Sequence, residues 1–138
     1  PLQLFANNMF GTSLDVFVDC ETYDTEECFL GLAESSTKFT NVPYLDVSAA
    51  INNDVVTICV VNRHKDEAIS TDIISQNGVF SGEFEVYEVN GPDIKSVNDF
   101  DKITVRTESK PKINVRGNSF EYSFPAHSVT LLKGRIKN

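Results

Sequence analysis

Apolar and polar residues alternate with a period of two along most of the chain. The clearest alternation runs through residues 44–51 and is typical of a half-buried β-strand. Residues 52–54 (Asn-Asn-Asp) tolerate positive φ and favour a tight turn. The apolar run 55–61 follows, so these three segments form the clearest predicted hairpin.

The same alternation predicts most of the other elements. Turns or breaks are expected between Gly78 and Gly82, at Gly91–Pro92, and at Pro111, which is expected to end a loop. The remaining predicted strands are 14–18, 68–74, 84–89, an edge strand at 103–107, 119–124 and 128–132. Residues 21–43 are expected to be a long loop, or a loop with a short strand around 38–40. About eight strands at roughly ten-residue spacing predict an all-β fold, an antiparallel β-sandwich of jelly-roll type.

Only the start of the chain departs from the β pattern. Apolar residues recur at three-to-four-residue spacing between Leu2 and Phe10, and Gly11 can end the turn. This predicts a short N-terminal helix. With no repeat and no linker, residues 1–138 are expected to form a single domain.

Length and charge exclude several classes. At 138 residues the chain can bury a core, but it is too short for a (β/α)8 barrel of roughly 200 residues. A net charge of −8 disfavours nucleic acid as a partner, and no stretch reaches the ~20 apolar residues of a membrane helix.

The chain starts at Pro1 without a signal-peptide pattern, so we expect a processed or excised piece. The compartment stays open, with cytoplasm favoured over secretion.

Candidate chemistry begins with the three cysteines. Cys59 lies in an apolar run and is interpreted as a buried, inert thiol. Cys20 and Cys28 could form a disulfide, although an odd cysteine count is weak support for one. Zinc is disfavoured because His64 and His127 are isolated in the sequence.

Nucleophilic catalysis has little support. Either histidine could be combined with serine and aspartate into a triad, but such triples arise by chance in a chain of this size. We favour packing of His127 against Tyr122 or Phe124.

Acidic clusters offer two further candidates. A glycosidase needs one carboxyl group with a raised pKa beside an ionised one, and an acidic loop in water supplies neither. That loop contains Glu21, Asp24, Glu26 and Glu27. A second set could offer oxygen ligands to calcium but lacks EF-hand spacing, so loop turns are favoured. It comprises Asp93, Asn98, Asp99 and Asp101.

Aromatic side chains could form a sugar-binding platform, although the chain has no Trp. The candidates are Tyr23, Phe29, Phe39, Tyr44 and Tyr87. No catalytic, cofactor-binding or metal-ligating residue is assigned, and no cofactor is expected.

An ordered set of motifs covers nearly the whole chain. The motifs are Gly11–Asp19, Thr22–Thr25, Val42–Ala49, Val60–Arg63, Gly91–Asn98 and Phe124–Val129. In order and spacing this set resembles the C-terminal domain of α-L-arabinofuranosidases of glycoside hydrolase family 51. From the residues themselves, Asn62 and Arg63 are expected to order a turn through side-chain bonds.

The resemblance implies an enzyme made of a catalytic (β/α)8 barrel followed by this sandwich. Residues 1–12 would be the remnant of the last barrel helix and its linker. The implied reaction is retaining hydrolysis of terminal α-L-arabinofuranosyl groups in arabinan and arabinoxylan by two barrel glutamates. This chain lacks those motifs, so it is expected to be inactive alone. The implied partners are the barrel, arabinose-containing polysaccharide through the parent enzyme, and a homo-oligomer, with no nucleic acid and no membrane.

The resemblance also implies that a strand from the N-terminus of the whole protein joins the sandwich. This chain would then expose a sheet edge, which is a hazard for self-pairing. The alternative hypothesis is a free-standing carbohydrate-binding or protein-interaction module.

Overall fold

The computed structural model describes residues 1–29 and 36–137. Within them lie one helix, α1 (Leu2–Asn8), and twelve strands. The strands in chain order are β1 (Thr12–Ser13), β2 (Thr22–Tyr23), β3 (Cys28–Phe29), β4 (Ser36–Thr37), β5 (Val42–Pro43), β6 (Leu45–Asn52), β7 (Val55–Asn62), β8 (Ile69–Ile74), β9 (Val79–Asn90), β10 (Arg106–Gly117), β11 (Ser119–Phe124) and β12 (Val129–Lys137).

The strands form two main layers. Six of them make one antiparallel sheet in the order β1-β6-β7-β12-β9-β10, and β8 pairs with β11 in a second, smaller sheet. Two further pairs, β2–β5 and β3–β4, are only two residues long. The predicted all-β antiparallel sandwich is confirmed.

The core lies between the two sheets. Phe120 of β11 meets the rings of Phe80 and Phe84 from β9, with ring centroids 5.2 and 5.5 Å apart, in the tilted and edge-on arrangements that aromatic pairs prefer. Gly134 of β12 lies against Phe84, and a Cβ at this position would sit 2.1 Å from a ring carbon. The glycine therefore makes room for the ring.

Helix α1 packs on the outer face of the large sheet. Leu4 is buried against Leu131 of β12, and the side-chain oxygen of Asn8 accepts a hydrogen bond from the Lys133 ammonium group (3.4 Å). The helix thus runs beside β12 from the level of Leu131 towards Lys133. The predicted N-terminal helix is confirmed, and packing stabilises a segment that would be too short to persist alone.

Several predicted strands match the structure. β6 and β7 form the expected hairpin, with Asn53 at φ 55° in its turn. β8 and β11 cover the segments 68–74 and 119–124. The final strand begins at Val129, one residue later than predicted, and continues to Lys137. Of the two alternatives for residues 21–43, the one with a strand at 38–40 is wrong, because β4 ends at residue 37 and β5 begins at residue 42.

The turn predicted between Gly78 and Gly82 is also wrong. Gly82 lies inside the long strand β9, at φ 85°. Opposite it, the pairing of β12 with β9 shifts between Lys133 and Arg135. Gly82 therefore supplies the positive φ of a β-bulge, which a sequence pattern cannot distinguish from a turn.

Pro111 does not end a loop, contrary to the prediction. It lies inside β10, where the pairing with β9 shifts between Lys110 and Ile113. β10 is an edge strand of the large sheet, and an edge strand tolerates a residue without a backbone N–H. The predicted edge strand at 103–107 is correct in its edge position, but only residues from Arg106 onward belong to the strand.

Candidate functional site

The motif residue Asn62 joins three segments of the chain. Its side chain is only 1% exposed. The amide group donates to the carbonyl oxygens of Glu67, Phe124 and Pro125, each at 3.0 Å, and its oxygen accepts the backbone N–H of His64 at 2.8 Å. The expected ordering of a turn by Asn62 is confirmed, and it extends to the connection between β11 and β12.

Arg63 links the hydrogen bonds of the Asn62 side chain, named here the Asn62 knot, to the neighbouring motif. Its backbone N–H donates to the Tyr44 carbonyl (2.8 Å), and its guanidinium group donates to the Pro43 carbonyl (2.9 Å) and pairs with the Asp46 carboxylate. The motifs Val42–Ala49 and Val60–Arg63 are thus neighbours in the fold, and their polar residues hold loops together.

His64 supports a turn. Its Nδ1 accepts the backbone N–H groups of Asp66 (3.3 Å) and Glu67 (2.9 Å). Its ring packs against Tyr44 with centroids 4.7 Å apart. An Nδ1 that accepts backbone bonds holds the loop and is not directed at a serine hydroxyl.

His127 follows the turn after β11. Its φ is 44°, and its backbone N–H donates to the His64 carbonyl (2.9 Å). Tyr122 and Phe124 pack against each other (4.9 Å), and the packing of the His127 ring against either of them stays a prediction. No hydrogen bond among the described residues connects either imidazole to a serine hydroxyl.

The acidic loop does not create a proton donor. The Asp24 carboxylate accepts the Asn41 backbone N–H (3.0 Å) and lies 3.3 Å from the Lys38 ammonium group. These two partners, the backbone bond first, lower the pKa of Asp24 below its ordinary value. A general acid for glycoside cleavage needs the opposite shift, so Asp24 is a paired surface carboxylate and not a proton donor.

The candidate calcium ligands instead organise the loop 91–105. The Asn98 oxygen accepts the N–H groups of Thr104 (2.9 Å) and Val105 (2.8 Å). Asp93 and Asp99 each accept a backbone N–H from within the loop, at 2.7 Å in both cases. The preferred loop-turn interpretation is confirmed, and the described residues contain no group of three or more His, Cys, Asp or Glu that could hold a metal.

The aromatic candidates do not form one platform. Tyr23 and Tyr44 stack on each other with centroids 4.8 Å apart, so each ring covers one face of the other. Tyr87 lies beside α1 on the outer face of the large sheet, and Phe39 is about half exposed. The side chain of Phe29 lies outside the described residues.

The cysteines behave largely as expected. Cys59 is buried, and burial raises the pKa of its thiol to about 11, which makes it a poor nucleophile at neutral pH. Cys20 is a free thiol whose sulfur accepts the Leu45 backbone N–H at 3.5 Å. The side chain of Cys28 lies outside the described residues.

An open groove runs beside the small sheet. The strand predicted at 14–18 forms a ladder only at Thr12–Ser13, and no backbone hydrogen bond among the described residues involves 15–20. Leu14, Val18 and Cys20 nevertheless pack against the core. A cavity of about 260 Å³ lies between residues 19–21 and the first half of β8.

The residue pattern did not predict this groove. The alternation at 14–18 predicted a strand there, but it could not show that this strand would lack a partner on one side in the described fold. Residues 69–71 of β8 face residues 19–21 across this cavity. None of the described residues forms a helix long and apolar enough to cross a bilayer.

Comparisons with known proteins agree with the resemblance found in the motifs. The model of the α-L-arabinofuranosidase C-terminal domain family matches residues 1–128. Among curated relatives, a probable α-L-arabinofuranosidase C of Aspergillus clavatus is 32% identical over 99% of the chain. A protein of the same name from Aspergillus terreus is 30% identical over 96%. The chain spans about a quarter of the length of these relatives.

Solved structures of α-L-arabinofuranosidases also match most of this chain. The α-L-arabinofuranosidase of Thermotoga maritima, solved with arabinose, superposes on 96% of this chain with a TM-score of 0.85 and 25% identity. A thermostable family 51 α-L-arabinofuranosidase of Thermotoga petrophila superposes on 85% with a TM-score of 0.73 and 27% identity. The match takes up 27% and 24% of those chains.

Proposed function

Since the chain belongs to the α-L-arabinofuranosidase C-terminal domain family, we propose that it is the accessory sandwich of such an enzyme. The hydrolysis of terminal α-L-arabinofuranosyl groups would be carried out by a separate catalytic domain of the parent protein. One observation carries this proposal: the similarity covers 96–99% of the chain but only 24–25% of the relatives. The role of this domain is then structural, as a partner of the catalytic domain.

The open groove supports a structural role. Residues 19–21 line one side of the groove and the first half of β8 lines the other. In the described part of the chain, no backbone–backbone hydrogen bond involves residues 15–20, and β8 pairs there with β11. A strand inserted between them could form backbone hydrogen bonds with both sides. We propose that the parent enzyme supplies this strand from its own N-terminus.

The activity assignment is tested with an aryl α-L-arabinofuranoside. The isolated chain should release no arabinose above the buffer rate, and the full-length parent protein should release it. Turnover by the isolated chain that disappears when one of its residues is replaced would contradict the proposal, as would an inactive parent protein.

The strand insertion is tested by amide hydrogen exchange. Amides of residues 15–20 should exchange quickly in the isolated chain and slowly in the full-length protein, because an inserted strand would bond them. Amides of the central strand β7 serve as the control and should be protected in both. Equal exchange at 15–20 in both proteins would contradict the insertion.

A further inference from the structure

The loop 91–105, named here the apolar loop, displays large apolar side chains to solvent. Phe100 is fully exposed, and the other three are more than half exposed. The four side chains are Ile94, Val97, Phe100 and Ile103. Large apolar side chains concentrated in one exposed loop are typical of a contact site.

The exposure of these side chains is built into the loop. Asp99 and Lys102 exchange two backbone hydrogen bonds (2.9 and 3.2 Å), which places Phe100 in the tight turn between them. The Thr104 hydroxyl donates to the Val97 carbonyl (2.7 Å), next to the bonds that Asn98 makes. A loop so fixed by hydrogen bonds loses little conformational entropy when a partner covers it.

The position of the apolar loop, near the start of α1, indicates which partner covers it. Its last residue, Val105, packs in the same outer cluster as Leu4 of α1. Since α1 runs along β12 from Leu131 towards Lys133, its first residues lie at the end of the sheet where this loop leaves β9. Leu2, at the start of α1, is 88% exposed.

We propose that the apolar loop docks on an apolar depression of the domain that precedes α1 in the full-length enzyme. This inference rests on the proposed function, in which a catalytic domain lies before the sandwich. Covalent connection through α1 holds such a domain near the loop at an effective concentration of about millimolar. A second copy of the chain would have to overcome the full entropic cost of association.

Thiol labelling tests the docking without depending on stability. Val97→Cys places a thiol on the apolar loop, and Val79→Cys is the matched control at the opposite end of β9, roughly 35 Å away along the strand. Both valines are exposed (74% and 49%). The rate of reaction with a bulky maleimide is measured by peptide mass spectrometry, which separates the new thiol from the native cysteines.

We expect the Val97→Cys thiol to react at least tenfold more slowly in the full-length protein than in the isolated chain, with little change at Val79→Cys. Equal rates at Val97→Cys in the two proteins would overturn the proposal. Protection that disappears on dilution of the full-length protein would also overturn it, because a second copy would then be the cover. Arabinofuranosidase activity of the same samples tests the proposed function separately.

Discussion

The hydrogen-bond knot around Asn62 predicts a large stability effect. Asn62→Ala removes the donor of three carbonyl oxygens and the acceptor of one backbone N–H. Each hydrogen bond contributes about 1 kcal/mol net, and a buried carbonyl left unpaired costs about 1–3 kcal/mol. The Phe124 carbonyl is the buried one, whereas water can reach the others.

We therefore expect Asn62→Ala to lower the free energy of unfolding by about 3–5 kcal/mol. That is a large part of the roughly 5–15 kcal/mol available to a domain of this size. Urea unfolding followed by far-UV circular dichroism measures it, since the chain has no Trp to report by fluorescence. Asn62→Asp should cost at least as much, because a carboxylate oxygen without a proton to donate would face three carbonyl oxygens, although the other oxygen could still accept the His64 N–H.

Asn7→Ala is the matched control. Asn7 is exposed on α1, and its side chain makes no hydrogen bond among the described residues, so its replacement should change stability by less than about 0.5 kcal/mol. A loss below about 1 kcal/mol for Asn62→Ala would refute the reasoning, because the knot would then be replaceable by water.

Three further predictions follow from other parts of the fold. Gly134→Ala should destabilise the domain by at least about 2 kcal/mol, because the new Cβ would overlap the buried Phe84 ring. Thermal unfolding measures this loss, and Lys137→Ala, at the exposed end of β12, should be nearly neutral in the same experiment. Between pH about 9 and 11 the folded protein keeps the Cys59 proton that the unfolded chain loses. The free energy of unfolding should therefore fall by about 1 kcal/mol as pH rises from about 8 to 10. The same pH dependence of stability in Cys59→Ala would contradict this. Arabinan and arabinoxylan fragments at millimolar concentration should cause no clustered NMR shift changes, because Tyr23 and Tyr44 stack on each other; shifts centred on these rings would favour the sugar-binding module.

Local patterns predicted the parts of the fold that depend on near neighbours. The hairpin of β6 and β7 was predictable because alternation and a turn of Asn and Asp lie within one short stretch. Helix α1 was predictable from apolar spacing and from Gly11. The errors at Gly82 and Pro111 have a different cause: each residue reports an unusual backbone, but a bulge and an edge position are set by the facing strand.

The polar candidates also divide into residues whose partners are near in sequence and residues whose partners are distant. Asn62 stood out in a motif, but two of its acceptors, Phe124 and Pro125, lie about sixty residues away, so its importance became visible only in the fold. The loop acids Asp93 and Asp99 were interpreted correctly because their partners lie one or two residues away.

The sequence by itself determined the strand periodicity, the antiparallel sandwich class and, through its ordered motifs, the family. Those properties follow from local alternation and residue order, which are written along the chain. Only the tertiary structure decided which surfaces are left open. The groove beside β8 and the apolar loop beside α1 are each formed or positioned by segments distant in sequence, so they become visible only when those segments are packed together.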